Sequence, residues 1–561
     1  MKRIIFTIVL LLIIFFLGRN LNPFTSNMFT FHDESQPARV QQFTLNLTNF
    51  KIPPRIAPDF SFKLGFPVFN YYSPFSYWVT SAINLLGIAV APALKISFLL
   101  TIIIGFIFMF KFANLYFDFY PSLLAAILYI TSPWLAIEIF IRGDMAEAWF
   151  IAFFPAALWA LYKNQSSDSP WFFLITVFIV SFTLTAHNVL SLLFVPIVII
   201  YIMLLPNKKK GIIAIISAFF LSSYFFIPAL TEIGQTHVPV ISRSSDYLDQ
   251  ALCWKQLWNS TWDYGVSIKG CGDSLPFMLG KPQIVLGFLG FMTFLLDIFF
   301  TKIKSHKNRL IIFYVALFSL TAIFMTTNSA IFIDKIFLPI FALFQFPWRF
   351  LVFGLFGLAF LAAAIKIPKN FKRISMIGFV VLAIMVVVYN SKFFIKHNLT
   401  LNKFNNDLLN PSYINRAVAY KVSQFLPSTI DYKKWLLLEP KQNGGEKRDS
   451  TLEDNRFIHG LDQGYINIQQ DSPFFKQAVV NSKKIIINIS YLPYWKITVN
   501  DKRIIPGKLD YLGRPILTLK EPSVIMVKYE QTLIEKVSNI ISILTFFGLI
   551  IWIKLRKILN K

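Results

Sequence analysis

Apolar stretches of near-spanning length recur along the chain, at about 4–18, 94–111, 121–137, 148–163, 171–187, 189–205, 211–229, 284–301, 310–326, 350–366, 373–390 and 538–554. No other feature narrows the fold as much. A helix needs about twenty apolar residues to cross the hydrocarbon core of a bilayer, and only helices or closed barrels satisfy the backbone there. The expectation is an α-helical polytopic membrane protein with about twelve transmembrane helices. The residue balance agrees: 55% hydrophobic, 15% charged and 17% aromatic, with 62 phenylalanines suited to lipid-facing surfaces and interfacial belts.

The net charge of +25 would suggest nucleic acid in a soluble protein. Here the basic residues fall largely in short connections between apolar runs, and no basic-aromatic patch asks for nucleic acid. Lys2-Arg3, Lys208 to Lys210, Lys302 to Arg309, Lys366 to Arg373 and Lys554 to Lys561 alternate with long or acidic connections. The positive-inside rule then puts both termini in the cytoplasm of a multi-pass cell-membrane protein. Met1-Lys2-Arg3 and the run to Leu17 could pass for a signal peptide, but Gly18-Arg19-Asn20-Leu21 is a poor cleavage site. The run is therefore expected to remain as the first span.

The connections 19–93, 138–147, 187–188, 230–283, 327–349 and 391–537 face outward under this topology. Three units follow: a transmembrane domain over 1–390, including the outer loops 19–93 and 230–283; an extracytoplasmic β-sandwich-like domain over 391–537; and a last span with a basic tail over 538–561. In Tyr494-Trp495-Lys496-Ile497-Thr498-Val499-Asn500, alternate apolar side chains share one face, as in a half-buried strand. Lys484–Ser490, Pro515–Leu519 and Ser523–Tyr529 read similarly, and Asn500-Asp501 supplies a turn. Cys253 and Cys271 lie in one outer loop. A disulfide between them is expected over two free thiols, and closing such a loop contributes about 3 kcal/mol in the chain-entropy picture.

The chemistry is expected in the first outer loop. His32-Asp33-Glu34 places ionisable groups beside the bilayer, where a partly desolvated carboxylate flanked by another acid can act as a base. Asp33 is the first choice and Glu34 the second; the bland alternative is solvated loop acids at a helix start. In Arg142-Gly143-Asp144-Met145-Ala146-Glu147, Asp144 with Glu147 is a good N-cap arrangement, and the Arg-Gly-Asp triplet is short enough to arise by chance. Arg142 nonetheless shares a side with Asp33 and keeps its charge, which suits a lipid phosphate. Arg349 has a similar position beside Trp348, where an interfacial anchor is the plain alternative. His187-Asn188 reads first as a polar turn.

The six histidines are scattered, no His/Cys cluster has metal-ligand spacing, and no phosphate loop of the Gly-Lys-Ser/Thr type occurs, so no metal ligands are assigned. Lys95, Glu138, Glu147 and Asp297 all lie near the ends of runs. Ion-coupled transporters keep ionisable residues at mid-membrane, so a proton- or sodium-driven transporter is disfavoured.

Several motifs together resemble a known group. They are Ile52-Pro53-Pro54-Arg55, Gly65-Phe66-Pro67 leading to Tyr71-Tyr72-Ser73-Pro74, Arg142-Gly143, His187-Asn188 and Phe346-Pro347-Trp348-Arg349-Phe350, with the early loop aspartate. The resemblance is to integral membrane proteins labelled 6-pyruvoyl-tetrahydropterin synthase-related, although nothing here offers the three-histidine zinc site of a pterin enzyme. Tyr491-Leu492-Pro493-Tyr494-Trp495-Lys496 with Asn500-Asp501-Lys502 is similar to the outer domain of lipoteichoic-acid glycosylation membrane proteins. Both groups look like GT-C glycosyltransferases, in which an acid of the first outer loop is catalytic.

The resemblance implies transfer of a sugar from a polyprenyl-phosphate donor to an extracytoplasmic acceptor, a cell-envelope glycan, lipid or protein. Asp33 would be the base and Glu34 its support. Arg39, Arg142, His187 and Arg349 would contact the phosphate or support it, with Tyr71, Tyr72 and Trp348 against sugar or lipid. A divalent metal, present in some relatives, stays open. Because the leaving group is a stabilised phosphate, one base suffices where a glycosidase needs a second acid. The rivals are a lipid-linked saccharide flippase, which needs a polar path through these charge-poor spans, and a non-catalytic cell-envelope scaffold.

Overall fold

The computed structural model describes residues 2–241, 247–265, 268–272, 274–300, 306–365, 372–396, 398–439, 449–453 and 456–559. Among the described residues, the apolar runs fall largely on helices. Among the described residues, seven helices are long and apolar enough to cross a membrane, or up to nine if two bent pairs each count as one span. The expected number of about twelve is therefore not reached on this criterion: Pro170–Ala186, Asn188–Leu204 and Ile377–Ser391 are apolar but shorter. The bent pairs are Lys208–Leu221 with Ser223–Thr231, at 68°, and Leu338–Phe344 with Pro347–Ala362, at 73°. Gln345 at φ 64° and Pro347 explain the second break, since a left-handed residue followed by proline cannot continue a helix.

Phe119–Arg142 and Met145–Ser166 form the centre of the bundle, buried along nearly their whole length, whereas Lys2–Leu21 and Leu533–Arg556 lie at its edge. The two central helices meet at a sharp corner. Glu138–Arg142 closes in a π-helical turn, Gly143 takes φ 67°, and Asp144 caps the next helix by accepting the Glu147 N–H at 3.0 Å. The first loop docks on this corner: the His32 N–H donates to the Ile141 carbonyl at 2.8 Å and the Asp33 N–H to that of Arg142 at 2.9 Å. A Cβ on Gly143 would sit 2.3 Å from the Phe31 ring. Close approach and left-handed backbone both demand glycine.

Strand β1 (Asn27–Phe29) pairs antiparallel with β2 (Asn398–Thr400), tying the first loop to the chain beyond the helix Lys372–Ser391. The remaining strands are β3 (Ile458–Gly460), β4 (Tyr465–Asp471), β5 (Phe475–Asn481), β6 (Lys484–Ile487), β7 (Trp495–Val499), β8 (Lys502–Ile504), β9 (Ile516–Thr518) and β10 (Ser523–Tyr529). They make a five-stranded sheet, β4-β5-β10-β7-β8, and a three-stranded one, β3-β6-β9, all antiparallel. Asn500 and Asp501, at φ 48° and 63°, turn β7 into β8.

The strands occupy less of 391–537 than the sequence suggests. Between residues 401 and 438 lie short helices, Leu401–Leu408, Tyr413–Ala417, Val418–Lys421, Ser423–Phe425 and Tyr432–Leu436, and Phe404, Ile414, Val418, Phe425 and Trp435 join the core of the membrane helices. Ile458, Ile487, Trp495, Ile497, Ile525 and Val527 form a separate core between the sheets, which also takes Ile56 from the first loop. A buried polar latch joins that loop to the last helix. Arg55 donates to Asn70 at 3.0 Å and Asn539 at 2.8 Å, Asn70 donates to Glu535 at 2.6 Å, and Thr532 donates to Glu232 at 2.8 Å.

Candidate active site

The corner at Gly143 concentrates charge. Arg142 Nη1 contacts both carboxylate oxygens of Glu138 at 2.6 and 2.5 Å and Glu147 Oε2 at 2.8 Å, while Nη2 reaches Asp144 Oδ2 at 3.2 Å. Its guanidinium lies over the Trp348 ring, 4.5 Å from the centroid. Arg142 is thus saturated by three acids from its own corner. An anion reaching Arg142 would have to displace a carboxylate in a buried site, where an unpaired charge is costly. The sequence presents Glu138 and Glu147 as acids near span ends, and the π-helical turn that brings them onto one guanidinium leaves no simple periodic signal.

Arg349 adds a second cation. Its Nη1 donates to the Phe344 carbonyl at 2.8 Å and Gln345 Oε1 at 2.7 Å, and its buried Nε has no hydrogen-bond partner. Among the described residues no carboxylate is bonded to it, although Glu147 and Asp144 lie close enough to influence it. Burial works against the Asp144 charge, but Arg142, His187, the Glu147 N–H and Arg349 outweigh it and hold the carboxyl below its ordinary range. Asp144 is therefore ionised at neutral pH.

His187 caps the helix Asn188–Leu204, its Nδ1 accepting the Leu190 N–H at 3.1 Å. The plain turn reading is right about the backbone and silent on the ring. Ligand atoms of Asp144, Glu147 and His187 all lie within 4.8 Å of one another, and all three residues are buried. Glu147 Oε1 has no hydrogen-bond partner. The two carboxylates therefore fit a hard cation, which prefers oxygen ligands. The imidazole fits less well. With Nδ1 accepting, a neutral ring carries its proton on Nε2 and offers a donor there. It can ligate a metal only by giving up its cap.

Asp33 sits beside this corner with its side chain 23% exposed. It accepts from Ser35 Oγ at 2.5 Å, Gln36 Nε2 at 2.6 Å and Arg39 Nη2 at 3.3 Å. Arg39 is buried, donates to the Tyr77 hydroxyl at 2.9 Å and stacks on Tyr72, 4.5 Å from the ring centroid. Burial alone would weaken its charge, but Asp33, Tyr77 and Tyr72 raise its pKa above the ordinary value. Arg39 thus orients Asp33. Tyr72 is electrostatically linked to Asp144, Asp33 and Arg39, which places it between the first-loop acid and the acidic corner.

Two expected residues lie apart. Glu34 pairs with Lys421 at 3.2 Å on the surface. Tyr71 donates to the Glu232 carbonyl at 2.8 Å and stacks on Phe425, so it belongs to the packing around the latch. Trp348 is buried beneath Arg142, between Trp134 and Phe346, so its face is already occupied. In exchange the structure adds Tyr413, whose buried hydroxyl has no hydrogen-bond partner and which senses Glu34, Asp33 and Arg39. It comes from the helical part of the segment expected to be β, and nothing local marks it. Cys253 and Cys271 are joined in a disulfide, with Cα atoms 5.4 Å apart.

No protein-family model matches the chain, and no curated protein does. Among solved structures it is similar to the arabinofuranosyltransferase AftD from Mycobacteria, at 14% identity over 71% of this chain and 27% of that one, TM-score 0.43. It is also similar to the oligosaccharyltransferase of Archaeoglobus fulgidus, at 12% identity over 80% and 61%, TM-score 0.45. A third is ArnT from Cupriavidus metallidurans, solved with undecaprenyl phosphate, at 12% identity over 75% and 77%, TM-score 0.39. The chain spans about a quarter of the first and three fifths of the second. With TM-scores below 0.5, these likenesses assign neither family nor activity.

Proposed function

We propose that the chain is a membrane glycosyltransferase of the GT-C kind, moving a sugar from a polyprenyl-phosphate donor to an acceptor on the outer side of a cell membrane. One observation carries the reading: a partly exposed carboxylate, Asp33, is seated by backbone bonds on the charged corner at Arg142, with Arg39 holding its side chain. In the reaction, Asp33 accepts the acceptor's hydroxyl proton and that oxygen bonds the anomeric carbon. The bond from that carbon to the phosphate oxygen breaks, and the lipid phosphate leaves with the electron pair.

The roles differ from those read in the sequence. Arg349, free of any carboxylate bond, is the candidate phosphate contact, and Arg142 organises the corner. A phosphate approaching this corner meets the ionised Asp144. A divalent cation on Asp144 and Glu147 would offset that charge and help neutralise the leaving phosphate. Glu34 and Tyr71 have no part in the proposal.

The test is product formation by reconstituted protein from a labelled polyprenyl-phosphate sugar. Asp33→Asn is expected to lower turnover at least 100-fold, the lower range for loss of a positioned base. Arg349→Gln is expected to lower it by a similar factor, as for loss of an oxyanion donor. Unchanged turnover in both variants overturns the assignment.

A further inference from the structure

A second cleft lies apart from the charged corner, where two apolar helices end. Lys281 opens the helix Lys281–Phe300, and Lys392 directly follows Lys372–Ser391. Between them is a cavity of about 330 Å³ lined by Trp258, Trp262, Tyr389 and Phe393 together with both lysines. Lys281 Nζ lies 5.7 Å from the Trp258 ring centroid, and Lys392 Nζ lies 4.1 Å from that of Tyr389 and 5.0 Å from that of Phe393. Trp262 closes the wall against Phe393, with centroids 5.0 Å apart.

The wall is built in advance. The disulfide Cys253–Cys271 pins the loop that carries both tryptophans. The Leu279 N–H donates to the Leu257 carbonyl at 3.1 Å, and Gln256 Nε2 to the Gly272 carbonyl at 3.0 Å. Among the described residues, no carboxylate lies within ion-pair range of Lys281 or Lys392. Two ammonium groups in one cleft, without acids, call for an anion.

The helices below say what kind. Val285, Phe288 and Leu289 follow Lys281 at the four-, seven- and eight-residue steps of one helix face, and all three are exposed. Ile384, Met385 and Val388 precede Lys392 at the matching steps and are also exposed. Each lysine therefore crowns an apolar stripe at a helix end, with aromatic rings beside it, as at the interface of a bilayer. In a membrane-spanning helix these stripes face the hydrocarbon, so an anion held between the two lysines sits at the level of the lipid headgroups.

We propose that this cleft binds the phosphate headgroup of a lipid, with Lys281 and Lys392 on the phosphate and the hydrocarbon chain along the helices below. The two sources of that chemistry are an anionic bilayer phospholipid and a polyprenyl phosphate. The site is independent of the transferase proposal, since it uses no residue of the charged corner.

The test is native mass spectrometry of the detergent-solubilised full chain, titrated separately with phosphatidylglycerol, a polyprenyl phosphate and phosphatidylcholine. Wild type is expected to retain at least one of the first two about thirtyfold more strongly than phosphatidylcholine, given about 1 kcal/mol for each of the two lysines near a lipid phosphate. The double variant Lys281→Gln/Lys392→Gln, its melting temperature checked against wild type, is expected to lose that preference. Trp258→Ala should weaken it without changing its dependence on headgroup charge. Whichever anionic lipid is preferred identifies the source. No preference in wild type, or an equal preference in the double variant, overturns the proposal. Transferase turnover is read on the same samples, so failure of either proposal is seen separately.

Discussion

Two arginines in one region illustrate how much a side chain's partners decide its use. Arg142 is bonded to Glu138, Asp144 and Glu147, whereas Arg349, among the described residues, donates to a carbonyl and an amide oxygen. Replacing Arg142 by alanine leaves three acids facing one another in a buried site, a change that typically costs about 3–5 kcal/mol. Arg142→Ala should therefore lower the melting temperature in detergent sharply, and Arg142→Lys should rescue it only in part, because an ammonium cannot repeat the forked contacts. Arg349→Ala should melt closer to wild type while losing turnover. Equal melting of Arg142→Ala and wild type would contradict the organising role. Gly143→Ala makes a second prediction: at φ 67° with Phe31 against the new Cβ, a loss of about 1–3 kcal/mol is expected, read as lower thermal stability. At this scale, the Asp144 cap was legible in the sequence through local spacing. The sequence concealed Glu138, Glu147 and Tyr413, because a π-helical turn and a distant segment bring them in.

Among the elements, some strands with a buried face were legible in the sequence, while Phe475–Asn481, which alternates just as regularly, was not. Trp495–Val499 and Ser523–Tyr529 alternate between buried and less buried positions and match the expected runs. Tyr465–Asp471 lies at a sheet edge and is largely exposed, so its polar sequence carries little alternation, and the sequence did not suggest it. The same physics hid the helices between 401 and 438: they are short, and their apolar faces find cover on the membrane helices. The turn between β7 and β8 offers a clean test. Asp501 holds φ 63°, a region that costs an L-residue and not glycine. Asp501→Gly is expected to stabilise by about 0.5–1 kcal/mol and Asp501→Val to destabilise by more, as followed by thermal unfolding. A drop in stability for the glycine variant would show that the Asp501 side chain matters more than its backbone.

Across the whole molecule, the first loop is the hub. It pairs through β1 with β2, docks on the Gly143 corner, gives Ile56 to the core between the sheets, and latches through Arg55 to the last helix. Arg55→Ala should cost about 3 kcal/mol by stranding buried polar partners, and limited proteolysis should then cut faster around residues 529–533, where the sheet gives way to the last helix. Unchanged cleavage would mean the latch carries no such coupling. Apolar run lengths revealed the membrane-helix architecture, but helix bends and this long-range docking depend on contacts far apart in the chain. The central claim is that Asp33, placed by that docking, takes the acceptor's proton. The most direct measurement is turnover of a labelled polyprenyl-phosphate sugar by reconstituted wild type and Asp33→Asn, with folding matched by melting temperature. A loss of at least 100-fold with folding intact is the predicted result; wild-type turnover in the asparagine variant would contradict the account.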